Sequence, residues 1–419
     1  MTTDRQGRPG ADPRISGIAR WIAEAGVATA DPGELVRRLA ERLREDGVSL
    51  GRLWVGADIL HPTIGARTVS WSRRRGLEAT GFSRSERRDF DHPQWRGTPL
   101  RLVLSQRLPE FRRRLAADYA RGEFALLDSF LADGLTDYLA CAVYFPQGTV
   151  VGETAGMVVT FASDGPEGFG EPEIELLRAC VQPLALAWRS ILLLDALRAV
   201  TGTYLGSDVA HRVLAGRIAR GQVETIRAAI WFSDLEGFTA LADTLPEDRL
   251  VALLNAYAGT VLDTIVGFGG EVLKLMGDGV LAIFPLDEQK EAPCRAALDA
   301  VVATLQRVDR LGAERRAAGQ PTTRLFVGLH LGEVLYGNIG SADRLDFTVL
   351  GPAVNEAARI ERMCRTVDRP VVASAAFARS SGEIGGRLVP LGSFALRGVA
   401  RPQELFALEP AALAETSGP

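Results

Sequence analysis

The sequence predicts an α+β chain of two folded domains, and three observations carry that prediction. Between residues 225 and 409 the apolar pattern runs strand, helix, hairpin, helix, strand, the split order of ferredoxin-like βαββαβ folds. Between 17 and 190, helices and strands alternate around a separate set of apolar residues. Between these two, residues 191–224 read as a helical connector, broken at Tyr204-Leu-Gly-Ser and at Gly216-Arg-Ile-Ala-Arg-Gly221. A chain of 419 residues has room for two or three domains.

The elements follow in order. Residues 1–16 are polar and rich in Gly, Pro and Arg, and are expected as a disordered leader. A helical pattern runs from Ile18 to Glu45 through Trp21, Ile22, Leu35, Leu39 and Leu43, with Asp31-Pro-Gly33 opening a second helix. Residues 50–72 read as strands around the turn-prone His61-Pro62. Residues 73–98 are polar and arginine-rich, and helical stretches extend to Leu131. Thr136–Phe145 and Gly156–Phe161 read as strands joined by a glycine-rich turn. Glu171 to Val200 reads as one helix, with Leu177, Val181, Leu184, Trp188 and Ile191 at three-four spacing, a seam usable as core or as a dimer coil.

In the second domain Arg227–Phe232 reads as a buried strand and Glu247–Phe268 as an amphipathic helix. Val272–Phe284 is a hairpin turning at Gly277-Asp-Gly279, and Ala292–Arg316 a long helix. Arg324–Tyr336 reads as a strand pair and Phe347–Leu350 as a short strand. Pro352–Cys364 is a helix with proline at its start, where the missing N–H costs nothing. Residues 410–419 are a tail.

Composition narrows the function classes. With 47% hydrophobic and 24% charged residues the chain is globular rather than disordered. A net charge of −4, with basic clusters no larger than Arg73-Arg-Arg75 and Arg112-Arg-Arg114, argues against nucleic-acid partners. The N-terminus lacks the apolar core of a signal peptide, and Gln182, Pro183, Arg189 and Asp195 interrupt Val181–Val200 as a membrane span. Four dispersed cysteines and four dispersed histidines fit reduced thiols, no zinc site and a cytoplasmic location.

The chemistry concentrates in two strand ends. Of 48 Lys plus Arg, only Lys274 and Lys290 are lysines. Lys274 stands four residues before Asp278 inside an apolar hairpin, where a compact ammonium is not interchangeable with a guanidinium. Asp234 ends an upstream strand in Phe232-Ser-Asp-Leu-Glu-Gly-Phe-Thr239. Two strand-end carboxylates side by side form an oxygen platform for Mg²⁺ or Mn²⁺ and repel each other without it. Either acid alone reads better as a turn residue beside glycine. Asn355 and Arg359, four apart, leave the same face of a helix.

These motifs together resemble the class III nucleotide cyclases over roughly Arg227 to Leu408. The resemblance rests on Phe232–Thr239, Lys274-Leu-Met-Gly-Asp278, Gly332-Glu-Val-Leu-Tyr-Gly-Asn-Ile-Gly340, and Phe347-Thr-Val-Leu-Gly351 running into Val354-Asn-Glu-Ala-Ala-Arg359. It implies that Asp234 and Asp278 ligate two metal ions, with the carbonyl of Leu235 as a third ligand. It places Lys274 and Thr348 at the purine-reading positions, a pair suited to adenine. Asn355 would orient the ribose and Arg359 would meet charge on the transferred phosphoryl group. Arg397, in Leu396-Arg-Gly398, falls where the family has a triphosphate-binding lysine. Pro352 stands where an Asp is common and Phe347 where a Tyr is frequent; neither is a chemical position.

The implied activity is an adenylate cyclase, converting ATP to 3′,5′-cyclic AMP and pyrophosphate. Because all these residues lie on one chain, the resemblance implies a homodimer through the catalytic domains and the connector helix, with two shared sites. The competing readings are a guanylate cyclase and a nucleotide-binding regulatory module without turnover. Gly168-Phe-Gly-Glu-Pro-Glu-Ile-Glu-Leu-Leu-Arg-Ala resembles the last strand-to-helix step of GAF-type sensor domains. The 17–190 region would then be a GAF-like regulatory domain answering to a small molecule or protein.

Overall fold

The computed structural model describes residues 12–84, 96–146, 148, 151–152, 156–286, 293–383, 386–399 and 401–410. The chain divides into two compact units, Met1–Thr203 and Tyr204–Pro419.

In the first unit, β1 (Leu50–Asp58), β2 (Ile64–Ser72), β3 (Gly76–Ser83), β4 (Glu110–Arg113), β5 (Asp137–Tyr144) and β6 (Gly156–Ser163) form an antiparallel sheet in the order β3-β2-β1-β6-β5-β4. Side chains alternate across it. Leu53, Val55, Leu139, Cys141, Val159 and Phe161 face α1 (Pro13–Ala28), α2 (Pro32–Glu45) and α5 (Glu171–Leu205). Tyr138, Ala140, Ala142, Val158 and Ala162 face α3 (Pro99–Ser105) and α4 (Ala125–Ala132). Asp12 and Asp31 cap α1 and α2, each followed by proline in the first turn.

Several expectations change here. Residues 12–16 are the cap and first turn of α1 rather than leader, because Asp12 accepts the Arg14 N–H; residues 1–11 lie outside the described residues, as do 411–419 of the tail. The polar stretch after 73 contains β3, an edge strand whose polarity follows from its exposed faces. The helical reading through Leu131 is interrupted by β4, a four-residue strand too short to show a period. The Leu177–Ile191 seam is core: all five residues are buried against this unit's own sheet. A different stripe of α5, Leu186, Leu193 and Leu197, is exposed. Among the described residues two helices, Glu171–Leu205 and Glu247–Gly267, are long and apolar enough by length and composition to cross a membrane, which the sequence reading denied for the first. Each lays an apolar stripe into its own unit's core.

The second unit opens with α6 (Ser207–Leu214) and β7 (Val223–Leu235), then α7 (Phe238–Thr244) and α8 (Glu247–Gly267). The hairpin β8 (Glu271–Met276) and β9 (Gly279–Pro285) leads to α9 (Pro293–Ala317) and β10 (Leu325–Gly340). Next come β11 (Leu345–Leu350), α10 (Pro352–Val367), β12 (Val371–Ser374), α11 (Ala375–Ser381), β13 (Leu388–Phe394) and β14 (Gln403–Leu408). The sheet order β13-β14-β12-β10-β7-β9-β8, with β11 on β10, contains the ferredoxin-like arrangement as β10-β7-β9-β8. The segment read as a strand pair from Arg324 to Tyr336 is a single strand; it pairs with β7 from Leu325↔Leu235 to Gly337↔Val223.

Alternation along β7 decides where the chemistry lies. Ala229, Trp231 and Leu235 join the core with α8 and α9, whereas Ala228, Ile230 and Phe232 face α10. Asp234 shares that second parity and so comes out beside α10 at the strand end. The helix lies hard against β10. A Cβ built on Gly328 would stand 2.4 Å from the Glu361 backbone N and 2.7 Å from the Ala357 carbonyl O. Gly328→Ala must push the helix away and is expected to destabilise the protein by about 1–3 kcal/mol. Urea denaturation of the purified variant reads this, and an unchanged midpoint would show that the helix can withdraw freely.

Candidate active site

Two carboxylates meet at the end of the β7–β9 pair. Asp278 occupies the turn between β8 and β9, where Gly277 takes a φ of 68° that favours glycine. Its Oδ2 accepts the backbone N–H of Leu235 at 3.1 Å, which ties the turn to the strand end carrying Asp234. Gly279 permits the approach: a Cβ there would meet the Ser233 carbonyl O at 3.2 Å and Asp234 Oδ1 at 3.7 Å. Burial, with Asp278 close by, pushes the Asp234 carboxyl up to about 6, while Arg365 pulls the other way.

Helix α10 adds two groups that sequence reasoning missed. Arg365 Nη2 pairs with Asp234 Oδ2 at 3.3 Å. Glu361 is buried, its Oε1 has no hydrogen-bond partner among the described residues, and burial followed by the charge of Asp234 pushes its carboxyl up to about 7. The spacing held a signal for both, since Ala357, Glu361 and Arg365 descend one helix face in steps of four. Neither neighbouring acid of α10 pairs with Arg359 among the described residues: Glu356 lies 3.6 Å from His330 Nε2, and Glu361 is buried.

The other candidate residues lie on two further elements. Lys274, half-exposed on edge strand β8, ion-pairs with Asp346 of β11 at 2.5 Å. Asp346 and Thr348 are two apart and share a strand face, so this bridge sets Lys274 beside the strand that carries Thr348. The opposite face of β11 is anchored by Phe347, edge-on to Tyr336 at 4.8 Å. Asn355 is exposed on the first turns of α10. Arg359 lies one turn on, with its guanidinium packed over Gly398, where a Cβ would stand 3.2 Å from Nη2. Arg397 is exposed in the same turn, next to buried Leu396. Among the described residues, no hydrogen bond or ion pair links Asp234 or Asp278 to Lys274, Thr348, Asn355, Arg359 or Arg397 within one chain.

The donor set fits a hard divalent cation. Two carboxylates crowded enough to raise one pKa are relieved by positive charge between them, and only oxygen is on offer. Among the described residues no cluster of three or more His, Cys, Asp or Glu forms a cage. The remaining coordination of such an ion would fall to backbone, water and a ligand's phosphates, as Mg²⁺ prefers.

The family model described as the adenylate and guanylate cyclase catalytic domain matches residues 222–408. That segment is similar to adenylate and guanylate cyclase catalytic domains. An uncharacterized protein of Mycobacterium tuberculosis is 30% identical over 212 residues, 50% of this chain and 36% of its own length. Adenylate cyclase 1 of Rhizobium meliloti is 27% identical over 179 residues, covering 42% of this chain and 26% of that protein. An adenylate cyclase of Anabaena cylindrica is 32% identical over 149 residues, covering 35% and 29%. The chain therefore spans between 26% and 36% of the length of these relatives. The solved adenylyl cyclase CyaB from P. aeruginosa aligns with a TM-score of 0.41 and 25% identity, over 45% of this chain and 96% of that one. The matched segment holds the carboxylate pair, Lys274, β11 and α10 alike.

The raised carboxyl makes a pH prediction. With the folded pKa of Asp234 near 6 and its ordinary value near 3.8, the folded state binds more protons in that window. Stability contributed by the protonated form is therefore lost as pH rises from about 4 to about 6 without metal. His330, lowered to about 4 by burial, tilts the other way but is common to both proteins when variants are compared. Asp234→Asn is expected to gain stability relative to the parent across this window. Urea midpoints measured in chelator along a pH series check it; a pH-independent difference would contradict a raised Asp234.

Proposed function

We propose that the protein is an adenylate cyclase, converting ATP to 3′,5′-cyclic AMP and pyrophosphate at sites shared by two copies of the chain. The observation that carries the choice of ATP is the Lys274–Asp346 bridge, which holds a primary ammonium beside Thr348. The ammonium donates toward adenine N1 and the threonine hydroxyl accepts from N6. A guanine edge presents a donor where Lys274 also donates, leaving both unpaired in a desolvated pocket.

Asp234 and Asp278, with the Leu235 carbonyl, would hold two Mg²⁺ or Mn²⁺ ions. Such ions supply charge for the phosphoryl oxygens and acidify the ribose 3′-hydroxyl. That hydroxyl attacks the α-phosphorus in line and pyrophosphate leaves. Asn355 orients the ribose, Arg359 stabilises charge on the α-phosphoryl group as it transfers, and Arg397 neutralises charge on the leaving pyrophosphate. Arg365 neutralises Asp234 within the chain and must yield that place to a cation.

Among the described residues of one chain the carboxylates make no polar link to Asn355 or Arg359, which supports completion of each site by a second copy. The exposed stripe Leu186, Leu193, Leu197 has the seven-and-four spacing of a coil and supports a dimer contact through α5. We read the first unit as a GAF-like regulatory domain.

The purified full-length chain is expected to form cyclic AMP from ATP with Mn²⁺ or Mg²⁺, and cyclic GMP from GTP far more slowly. Equal rates with both nucleotides would defeat the assignment of Lys274 and Thr348. Asp234→Asn and Asp278→Asn are each expected to lower turnover by orders of magnitude while remaining folded. Near-parental activity of either at limiting Mn²⁺ would remove the metal assignment.

Mixing inactive Asp278→Asn with inactive Arg359→Ala tests the shared site. With half of the dimers mixed and one intact site in each, about a quarter of parental activity should return. A flat baseline, with subunit exchange verified by tagged pull-down, would show that each chain builds its own site.

A further inference from the structure

The first unit contains a cavity unrelated to the cyclase site. It lies on the sheet face covered by α3 and α4, with a volume of about 160 Å³. Trp54, Phe82 and Phe130 supply aromatic walls, and Arg52, Thr98, Tyr138 and Thr160 are the polar residues of its lining. Its size matches apolar cavities that accept a single benzene-sized molecule.

Among the described residues, two of the polar groups lack a hydrogen-bond or ion-pair partner. Arg52 projects from β1 into this face, and its guanidinium lies 5.4 Å from the Phe130 ring centroid. Among the described residues it makes no ion pair or hydrogen bond; Glu78 and Asp133 act on it only through space. Burial lowers its pKa, which reports a cation stripped of water rather than one compensated. Tyr138 is 1% exposed, and its hydroxyl, although near Thr160, forms no satisfactory hydrogen bond. Buried polar groups without partners are costly, and a half-buried arginine without an acid is costlier still. Among the described residues the lining holds no carboxylate and no histidine.

We propose that this cavity binds a small organic carboxylate with a flat, unsaturated body. The carboxylate accepts two parallel N–H bonds from the Arg52 fork, a geometry that guanidinium matches and ammonium does not. The Tyr138 hydroxyl donates a third bond. The flat body fills the space between Trp54, Phe82 and Phe130. Charge and shape are read together, so neither a bare anion nor a neutral ring satisfies the site. The assignment does not depend on the reaction proposed for the second unit.

The test uses the full-length chain and three probes: benzoate, its neutral isostere benzamide, and acetate, which has the charge but no ring. Calorimetry and ligand-observed NMR are expected to show saturable benzoate binding at one per chain. Benzamide and acetate should each bind at least about tenfold more weakly. Arg52→Gln is expected to weaken benzoate by at least about tenfold and leave benzamide unchanged, and Tyr138→Phe by a few-fold. Leu126→Trp keeps Arg52 but fills the cavity and should abolish binding of all three. Circular dichroism and melting temperature establish that each variant is folded. If Arg52→Gln fails that check, the benzoate–benzamide ratio and Leu126→Trp decide alone. Absence of saturable benzoate binding, equal affinity for benzamide, or undiminished binding to folded Arg52→Gln or Leu126→Trp would each overturn the proposal.

Discussion

The second unit is organised around an unfavourable contact. Asp234 and Asp278 are drawn together although like charges in a partly desolvated place repel. What holds them is backbone: the Leu235 N–H bond to Asp278, the β7–β9 register, and the room left by Gly279. A flexible pair of acids would separate into water. Fixed to two neighbouring strand ends, they cannot, and the strain shows as a raised Asp234 carboxyl and an arginine recruited from α10. Such an arrangement is stable with a proton or a cation between the acids, which is what a metal-ion site requires before its metal arrives.

Helix α10 links that constraint to everything around it. Its first turns carry Asn355 and Arg359, its last turns Glu361 and Arg365, and its middle is pressed on β10 through Gly328. A helix spanning 352–367 is about 24 Å long at 1.5 Å per residue, so its two ends serve different neighbourhoods. One end faces its own chain's carboxylates; at the other, among the described residues, Asn355 and Arg359 make no hydrogen bond or ion pair. The proposed completion of each site by a second copy rests on this separation more than on any single residue.

The first unit shows the same logic in a different form. Its sheet commits one face to α1, α2 and α5 and closes it with large apolar side chains. The other face is closed only partly, by short helices and by aromatic rings around Arg52 and Tyr138. A fully committed core would not leave a cation and a hydroxyl unpaired.

The sequence by itself determined the long helices, the hairpin and the ferredoxin-like order of the second unit, and singled out its two strand-end acids. Long periodic helices such as 247–267 and 293–317, and the glycine-flanked acids Asp234 and Asp278, declare themselves through local pattern and turn chemistry. It left open what depends on contacts between distant residues. Strand β4 was too short to carry a period, and β10 looked like two strands because its glycines Gly328 and Gly332 imitate a turn while serving close helix packing. The seam of α5 was readable as a stripe, but only packing decided that Leu177–Ile191 face the sheet while Leu186, Leu193 and Leu197 do not. Asp346, Glu361 and Arg365 were ordinary charged residues until the fold set them beside Lys274 and Asp234, because charge acts over a few ångströms of space and not along the chain.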